Sequence, residues 1–149
     1  MDVFADRADA GRRLAAVLGR EGVTAGVVVG LARGGVAVAA EVAAGLALPL
    51  DALAVRKIGH PDQPEYAIGA VTPGEDGVYV RDPHGIAPEA LDAAVRRCQD
   101  EAEALDRVLH AGRPPVTLRG QTAILVDDGL ATGATMVAAV RWARGQGAA

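Results

Sequence analysis

Aromatic residues are scarce in this sequence, and their scarcity limits how its core can be built. Only 3% of the 149 residues are Phe, Trp or Tyr, although half of the residues are hydrophobic. A core without large rings has to be filled by Val, Leu, Ile and Ala, which suits a parallel β-sheet covered by helices rich in small residues. A chain of 149 residues fits one domain, so we expect a single domain over residues 1–149.

Other features that the sequence lacks exclude several classes of protein. The single cysteine, Cys98, excludes an internal disulfide and a metal site built from several cysteines. The formal net charge is −4 without a run of Lys or Arg, so a nucleic-acid or anionic-membrane surface is not indicated. No apolar run is long enough for a membrane span or a signal peptide. We therefore expect a cytoplasmic protein with neither a nucleic-acid nor a membrane partner.

Hydrophobic spacing predicts alternating helices and strands. Asp6 can cap a first helix, which Gly22 ends. The pattern further predicts strands over 26–30, 50–55 and 122–126, helices over 36–46, 88–110 and 133–144, a loop over 58–65, and a β-hairpin formed by 67–72 and 78–80. This order favours an α/β fold with an open, doubly wound, mainly parallel sheet and a small β-hairpin insertion. Such sheets bind ligands at the carboxyl ends of their strands.

The sequence ends at Ala149, where an alternating pattern would normally supply another strand. We therefore expect the sheet to lack a C-terminal strand. An unpaired edge of a parallel sheet tends to be paired or covered. This expectation predicts a homodimer.

Residues 123–135, AILVDDGLATGAT, carry the most chemical information. Four apolar residues predict a buried strand that ends in Asp127 and Asp128, and the small-residue loop 131–135 then opens a helix. Small side chains let backbone N–H groups approach a phosphate, whose charge a helix N-terminus favours. The two carboxylates would repel that phosphate, so we expect them to accept hydrogen bonds from another part of the ligand, such as the hydroxyls of a ribose.

A simpler interpretation is that Asp127 and Asp128 end a strand and cap a helix. The whole thirteen-residue segment, however, resembles the signature with which type I phosphoribosyltransferases bind 5-phosphoribosyl-1-pyrophosphate (PRPP). That signature has a hydrophobic strand, two acidic residues, two small or aliphatic residues and a loop rich in Thr and Gly. Gly129 departs from it, because an aliphatic residue or Ser is commoner there, and should loosen the turn without removing a ligand contact.

Two further segments agree with the same family. Residues 30–35, GLARGG, stand at the position of its pyrophosphate loop, which implies that Arg33 and the amides of 33–35 bind a diphosphate. The family often has a non-proline cis peptide in this loop, here at Ala32–Arg33. Taken alone, the segment would also fit an ordinary strand-to-helix turn whose Arg faces water.

Residues 56–61, RKIGHP, with 64–71, PEYAIGAV, are similar to a subgroup of predicted bacterial phosphoribosyltransferases. Lys57 is the single lysine among fifteen basic residues. A lone Lys at a strand end favours a compact point charge there. The alternative is a solvated side chain that stands there by chance.

The resemblance implies transfer of a 5-phosphoribosyl group from PRPP to a nitrogen nucleophile, such as a nucleobase, with release of pyrophosphate. Asp127, Asp128, Arg33 and Lys57 would then be the catalytic residues. Asp127 and Asp128 would hold the ribose hydroxyls and the Mg²⁺ cofactor, directly or through water. Residues 131–135 would hold the 5′-phosphate, and Arg33, its neighbouring amides and Lys57 the pyrophosphate. The complete set of implied substrate-binding residues is Ala32, Arg33, Gly34, Gly35, Arg56, Lys57, Asp127, Asp128, Gly129, Ala131, Thr132, Gly133, Ala134 and Thr135.

Two other functions fit parts of the pattern. A non-catalytic module that senses PRPP or a nucleotide would use the same site without turnover. A receiver-like domain would use the acidic pair for a metal, but receivers carry that pair on the first strand and this chain carries it on the last. The sequence identifies neither an acceptor base nor a general base.

Overall fold

The computed structural model describes residues 3–149 of the chain. Within that range the elements are α1 (Arg7–Arg20), β1 (Val27–Ala32), α2 (Gly34–Leu46), β2 (Leu50–Ala54), β3 (Arg56–Gly59), β4 (Ala67–Val71), β5 (Tyr79–Val80), α3 (Pro88–Leu109), β6 (Ala123–Val126) and α4 (Ala134–Gly145). None of these helices combines the length and the apolar character that a membrane span requires. The chain divides into a first compact unit, residues 3–53, 115–129 and 146–149, and a second unit, residues 54–114 and 130–145.

The first unit contains a sheet whose strand order is β2-β1-β6. Strands β1 and β6 run parallel, and their register pairs Val27 with Ala123 and Gly30 with Val126. The first five residues of β1 are buried, as expected for a parallel strand that is covered on both faces. The predicted α/β class with a parallel sheet is therefore confirmed. Because the strands are parallel and in this register, their carboxyl ends lie side by side.

Helices α1 and α2 pack against each other in the first unit. Asp6 caps α1 as predicted, because its Oδ1 accepts a hydrogen bond of 2.8 Å from the Asp9 amide. The two helices approach closely at Gly11, where a Cβ would lie 2.6 Å from the Val38 carbonyl oxygen. The core beneath them is aliphatic and comprises Val28, Val38, Ala39, Val42, Ala43 and Val126. The absence of aromatic rings from this core agrees with the composition.

The second unit contains an antiparallel sheet in the order β3-β4-β5. The predicted hairpin is present, since β4 pairs with β5 and Gly69 lies opposite Val80. Its core joins this sheet to α3 and comprises Ile58, Ile68, Val71, Ala94, Cys98 and Ala102. Burial of Cys98 in this core places the thiol away from solvent.

The predictions for residues 50–65 need correction. The strand that we expected to end in Arg56 and Lys57 stops at Ala54, and those two residues begin β3 instead. Ile58, which we expected in a loop, is fully buried and pairs with Gly69 of β4, so the hairpin belongs to a three-stranded sheet. The pattern failed here because β3 has only four residues and lies just before His60-Pro61. A strand of four residues is too short for an alternation to be recognised.

Candidate functional site

The two glycines that follow β1 lie directly against the acidic pair that follows β6. A Cβ on Gly35 would stand 2.6 Å from the Val126 carbonyl oxygen and 2.9 Å from the Asp127 Cα. A Cβ on Gly34 would overlap the carboxylate of Asp128. Only residues without side chains permit this approach. The first unit thus brings together four of the predicted site residues at the ends of two parallel strands.

Arg33 stands between β1 and α2, at the N-cap position of that helix. The Ala32–Arg33 peptide bond is cis, as the family resemblance implied. The Arg33 side chain makes no capping hydrogen bond, and the residue is exposed. Since α2 begins at Gly34, the positive end of its helix dipole lies at this loop. The loop therefore combines a solvated guanidinium with a helix N-terminus, a combination that suits an anion.

The acidic pair is held by hydrogen bonds of its own. Asp128 Oδ2 accepts from Arg7 Nη2 at 2.8 Å and from Arg7 Nε at 3.0 Å. The Asp128 amide donates to Asp127 Oδ1 at 2.8 Å. The Arg7 guanidinium is the main cause that lowers the pKa of Asp128, and the bond with the Asp127 side chain also lowers it, against the opposing effect of burial. Asp128 is consequently an anion at neutral pH.

Sequence reasoning missed Arg7. We gave it no function, because no motif surrounds it and 121 positions separate it from Asp128. The one signal in the sequence is its place directly after the N-cap Asp6. That position leaves the direction of a long side chain undetermined, so the contact could be found only from the fold.

A cavity of about 600 Å³ in the first unit borders the acidic pair. This volume lies in the range of about 300–1,000 Å³ that is usual for small-molecule sites. Its lining combines apolar and charged residues from α1 and the segment before it, from α2 and from the end of β6. The lining residues are Phe4, Asp6, Arg7, Ala10, Arg13, Leu14, Val17, Val38, Asp127 and Asp128. The Arg13 guanidinium lies 5.5 Å from the centre of the Phe4 ring. The acidic pair therefore borders a space that could accommodate a ligand of moderate size.

Arg56 and Lys57 lie in the second unit, on β3. Successive side chains of a strand point to opposite faces. Ile58 is buried and Lys57 is exposed, while Arg56 is partly buried on the same face as Ile58. The Arg56 Nε is buried and has no hydrogen-bond partner among the described residues. A ligand on one face of β3 would therefore contact one of the two cations rather than both.

The predicted phosphate loop, residues 131–135, also lies in the second unit. Gly133 has a φ of 81°, which favours glycine, and α4 begins at the next residue. The Thr132 hydroxyl accepts a hydrogen bond of 3.3 Å from the Ala134 amide. Ala131 and Thr132 are exposed, whereas Ala134 is buried. The segment has the glycine and the helix start that the prediction required, and in this structure the Thr132 hydroxyl contacts one of its amides.

The predicted site residues are thus divided between the two units. The first unit carries Ala32, Arg33, Gly34, Gly35, Asp127, Asp128 and Gly129, and the second carries Arg56, Lys57, Ala131, Thr132, Gly133, Ala134 and Thr135. Within residues 3–149, no group of three or more His, Cys, Asp or Glu side chains is placed to hold a metal. Among the predicted site residues, the carboxylates of Asp127 and Asp128 are thus the groups that could bind a metal ion. A pair of carboxylates fits Mg²⁺, which proteins commonly bind through one or two carboxylates together with the phosphates of a substrate.

Parallel strands that bring a glycine loop and an acidic pair to one end of a sheet define the class: an α/β protein with its candidate ligand site at the carboxyl ends of the strands. Residues 4–149 match the Phosphoribosyl transferase domain, and the chain belongs to that family.

Two proteins of Mycobacterium tuberculosis are each 47% identical to the chain over 153 residues, "Putative phosphoribosyl transferase Rv0571c" and "Putative phosphoribosyl transferase MT0597". Each comparison covers 99% of this chain and 34% of the relative, so the chain spans about one third of the length of these curated relatives. The crystal structure of TT1426 from Thermus thermophilus is 40% identical, with a TM-score of 0.78, over 99% of this chain and 71% of that one. These likenesses support both the family and the fold.

Proposed function

We propose that this chain binds PRPP and transfers its 5-phosphoribosyl group to a nitrogen nucleophile, with a nucleobase as the acceptor class. In this reaction a bond forms between the acceptor nitrogen and C1 of the ribose. The bond between C1 and the diphosphate oxygen breaks, its electron pair leaves with pyrophosphate, and the nitrogen loses a proton. The observation that carries the proposal is the contact of Gly34 and Gly35 with Asp127 and Asp128 in a member of the Phosphoribosyl transferase domain family.

Asp127 and Asp128 would bind the ribose hydroxyls. Even at the ordinary Asp pKa of 3.8 the Asp128 carboxylate is ionised at neutral pH, so it can accept hydrogen bonds throughout the neutral pH range. The same two side chains would hold Mg²⁺ directly or through water. When bound, this ion would neutralise part of the charge that develops on the departing diphosphate.

The diphosphate would be bound by the loop after β1. Arg33 is exposed and is not engaged as a helix cap, so its guanidinium can donate to phosphate oxygens. Amides of 33–35 and the positive end of α2 add to the same field. Lys57 is the further cation that we assign to this group, since its side chain is exposed on β3. Bond cleavage generates negative charge on the leaving group, so these cations would stabilise the transition state more than the ground state.

The 5′-phosphate would be bound by residues 131–135. Gly133 allows the turn that exposes this segment before α4, and small side chains leave room for phosphate oxygens. When phosphate binds, the Thr132 hydroxyl would release the Ala134 amide and donate to a phosphate oxygen. The Ala134 amide would then also be able to donate to the phosphate. Thr135 would add a second hydroxyl. Such contacts to the phosphate would help to orient the ribose for the acceptor.

The test is to measure binding of PRPP with Mg²⁺ and release of pyrophosphate across a panel of nucleobases in parallel. Binding together with release in the presence of one base supports the transferase and identifies its acceptor. Binding without release for every base would favour the non-catalytic sensing module. Absence of binding would contradict both functions, because both depend on the same PRPP site.

A further inference from the structure

Arg7 contacts the acidic pair although no sequence motif assigns it a function. Its Nε and Nη2 atoms both donate to one oxygen of Asp128, at 3.0 and 2.8 Å. The Arg7 side chain is 60% exposed and that of Asp128 is 32% exposed. An ion pair exposed to this degree contributes little to folding, commonly about 0–1 kcal/mol. Stability therefore gives little reason for the contact.

The position of the guanidinium relative to the loop after β1 supplies another reason for the contact. A Cβ built on Gly34 would lie 3.1 Å from Arg7 Nε. The guanidinium is therefore adjacent to the Gly34 backbone as well as to the Asp128 carboxylate. Arg7 thus reaches from α1 to the segment that we assign to the diphosphate, and it stands beside the carboxylate that we assign to the ribose hydroxyls.

The charges of the side chains around the loop favour a second cation there. Asp127 and Asp128 together carry about two negative charges, against which residues 32–35 supply one cation, Arg33. A diphosphate placed beside two carboxylates would be repelled strongly at short range unless further positive charge is present. With Arg7 included, the formal charge of the four side chains, those of Asp127, Asp128, Arg33 and Arg7, is zero before Mg²⁺ is counted. Its planar guanidinium also matches phosphate oxygens better than an ammonium does.

We propose that Arg7 is a diphosphate-binding residue, which pairs with Asp128 in the ligand-free chain and donates to a diphosphate oxygen when PRPP binds. This inference rests on the proposed function. A ribose hydroxyl replaces Arg7 at Asp128, and the guanidinium turns toward the diphosphate at the adjacent loop. The high exposure of the Arg7 side chain leaves room for this change of rotamer.

Three probes test the proposal by calorimetric titration: PRPP with Mg²⁺, pyrophosphate with Mg²⁺, and ribose 5-phosphate, which has no diphosphate. In Arg7→Ala the first two should bind about tenfold or more weakly, the scale of one lost charge-assisted hydrogen bond. Ribose 5-phosphate should bind as in the native chain or more tightly, because Asp128 no longer has to release Arg7. Arg7→Lys should recover part of the lost affinity. Arg12→Ala, an exposed arginine on the same helix, is the matched control and should bind all three probes normally.

A purely structural function of Arg7 gives another pattern. If Arg7 only holds Asp128 in place, Arg7→Ala weakens ribose 5-phosphate as much as PRPP, and this result would overturn the proposal. Unchanged pyrophosphate binding in Arg7→Ala would overturn it equally. A native chain that binds none of the three probes contradicts the proposed function itself, so failure at that level is visible before any variant is compared.

Discussion

At the residue scale, the pKa of Asp128 is lowered mainly by one neighbour, Arg7. Its Oδ2 atom accepts both hydrogen bonds from Arg7, and this contact is the largest cause of its lowered pKa. A carboxylate with a lowered pKa in the folded state stabilises that state above its unfolded pKa, and the contribution disappears as the pH falls through the folded pKa. The ion pair is therefore complete at neutral pH, and it is acid that removes it.

Replacing Arg7 should return the pKa of Asp128 toward its ordinary value of 3.8. The physical reason is that Arg7→Ala removes both the donors and the positive charge that favour the ionised form. An NMR titration of the side-chain carboxyl carbons from about pH 2 to pH 7 measures the change, with Arg12→Ala as the control. The same pKa for Asp128 in the native chain and in Arg7→Ala would show that Arg7 does not lower that pKa.

A second prediction at this scale concerns the phosphate loop. Thr135→Ala should weaken PRPP binding by roughly 1–2 kcal/mol, the scale of one hydrogen bond to a charged group. Thr24→Ala removes an exposed threonine outside the predicted site and is the matched control. Calorimetric titration measures both variants. A structure with bound phosphate that places the anion away from residues 131–135 would show this assignment to be wrong.

At the scale of elements, the close approach of the β1 loop to the end of β6 depends on two glycines. Gly34→Ala should displace the Asp128 carboxylate, which a Cβ would overlap, while the backbone stays in place. Gly35→Ala should instead push against the Val126 carbonyl oxygen and the Asp127 backbone, and we expect it to destabilise the fold by about 1–3 kcal/mol. Gly34→Ala should therefore affect PRPP binding mainly, and Gly35→Ala the free energy of unfolding as well.

Gly19→Ala on α1, outside the predicted site, is the matched control, because a Cβ there meets only Leu46 Cδ2, at 3.8 Å, and the backbone does not have a positive φ. It should leave unfolding unchanged, or raise stability slightly by restricting the unfolded chain. Denaturant unfolding and PRPP titration of the three variants measure these effects. If Gly34→Ala binds PRPP as well as Gly19→Ala does, the packing of the loop on Asp128 has no part in the site.

The elements also show which features the sequence could predict. Helices α1 and α3 were found because apolar residues recur over several turns and because Asp6 and Pro88 mark their starts. The sequence indicated that the glycines and the acidic pair follow strands, but their contact was seen only in the structure. Strand β3 was missed because a four-residue strand has too few alternations to be recognised. Arg7 was missed because the direction of a long exposed side chain depends on tertiary contacts.

At the scale of the whole molecule, β6 leads to a prediction about assembly. It pairs with β1 on one side and stands last in the order of its sheet among the described residues. Its residues Ala123, Ile124 and Leu125 are only partly buried. An apolar edge of this kind tends to be covered, so we predict a homodimer. Light scattering at tens of micromolar checks this prediction, and a stable monomer would contradict it.

The account as a whole depends on the acidic pair binding a ligand rather than capping a helix. The double variant Asp127→Asn, Asp128→Asn preserves shape and much of the capping ability, since Asn caps a helix as well as Asp does. The thermal melt should therefore change little. Magnesium-dependent PRPP binding should fall by several kcal/mol, because two charge-assisted contacts are lost.

Calorimetric titration of PRPP with Mg²⁺ into the native chain and this double variant, beside a thermal melt of each, is the most direct test. The account predicts binding to the native chain, a large loss of binding in the variant, and similar melting of the two. Equal binding by both chains, or a loss confined to thermal stability, would contradict it.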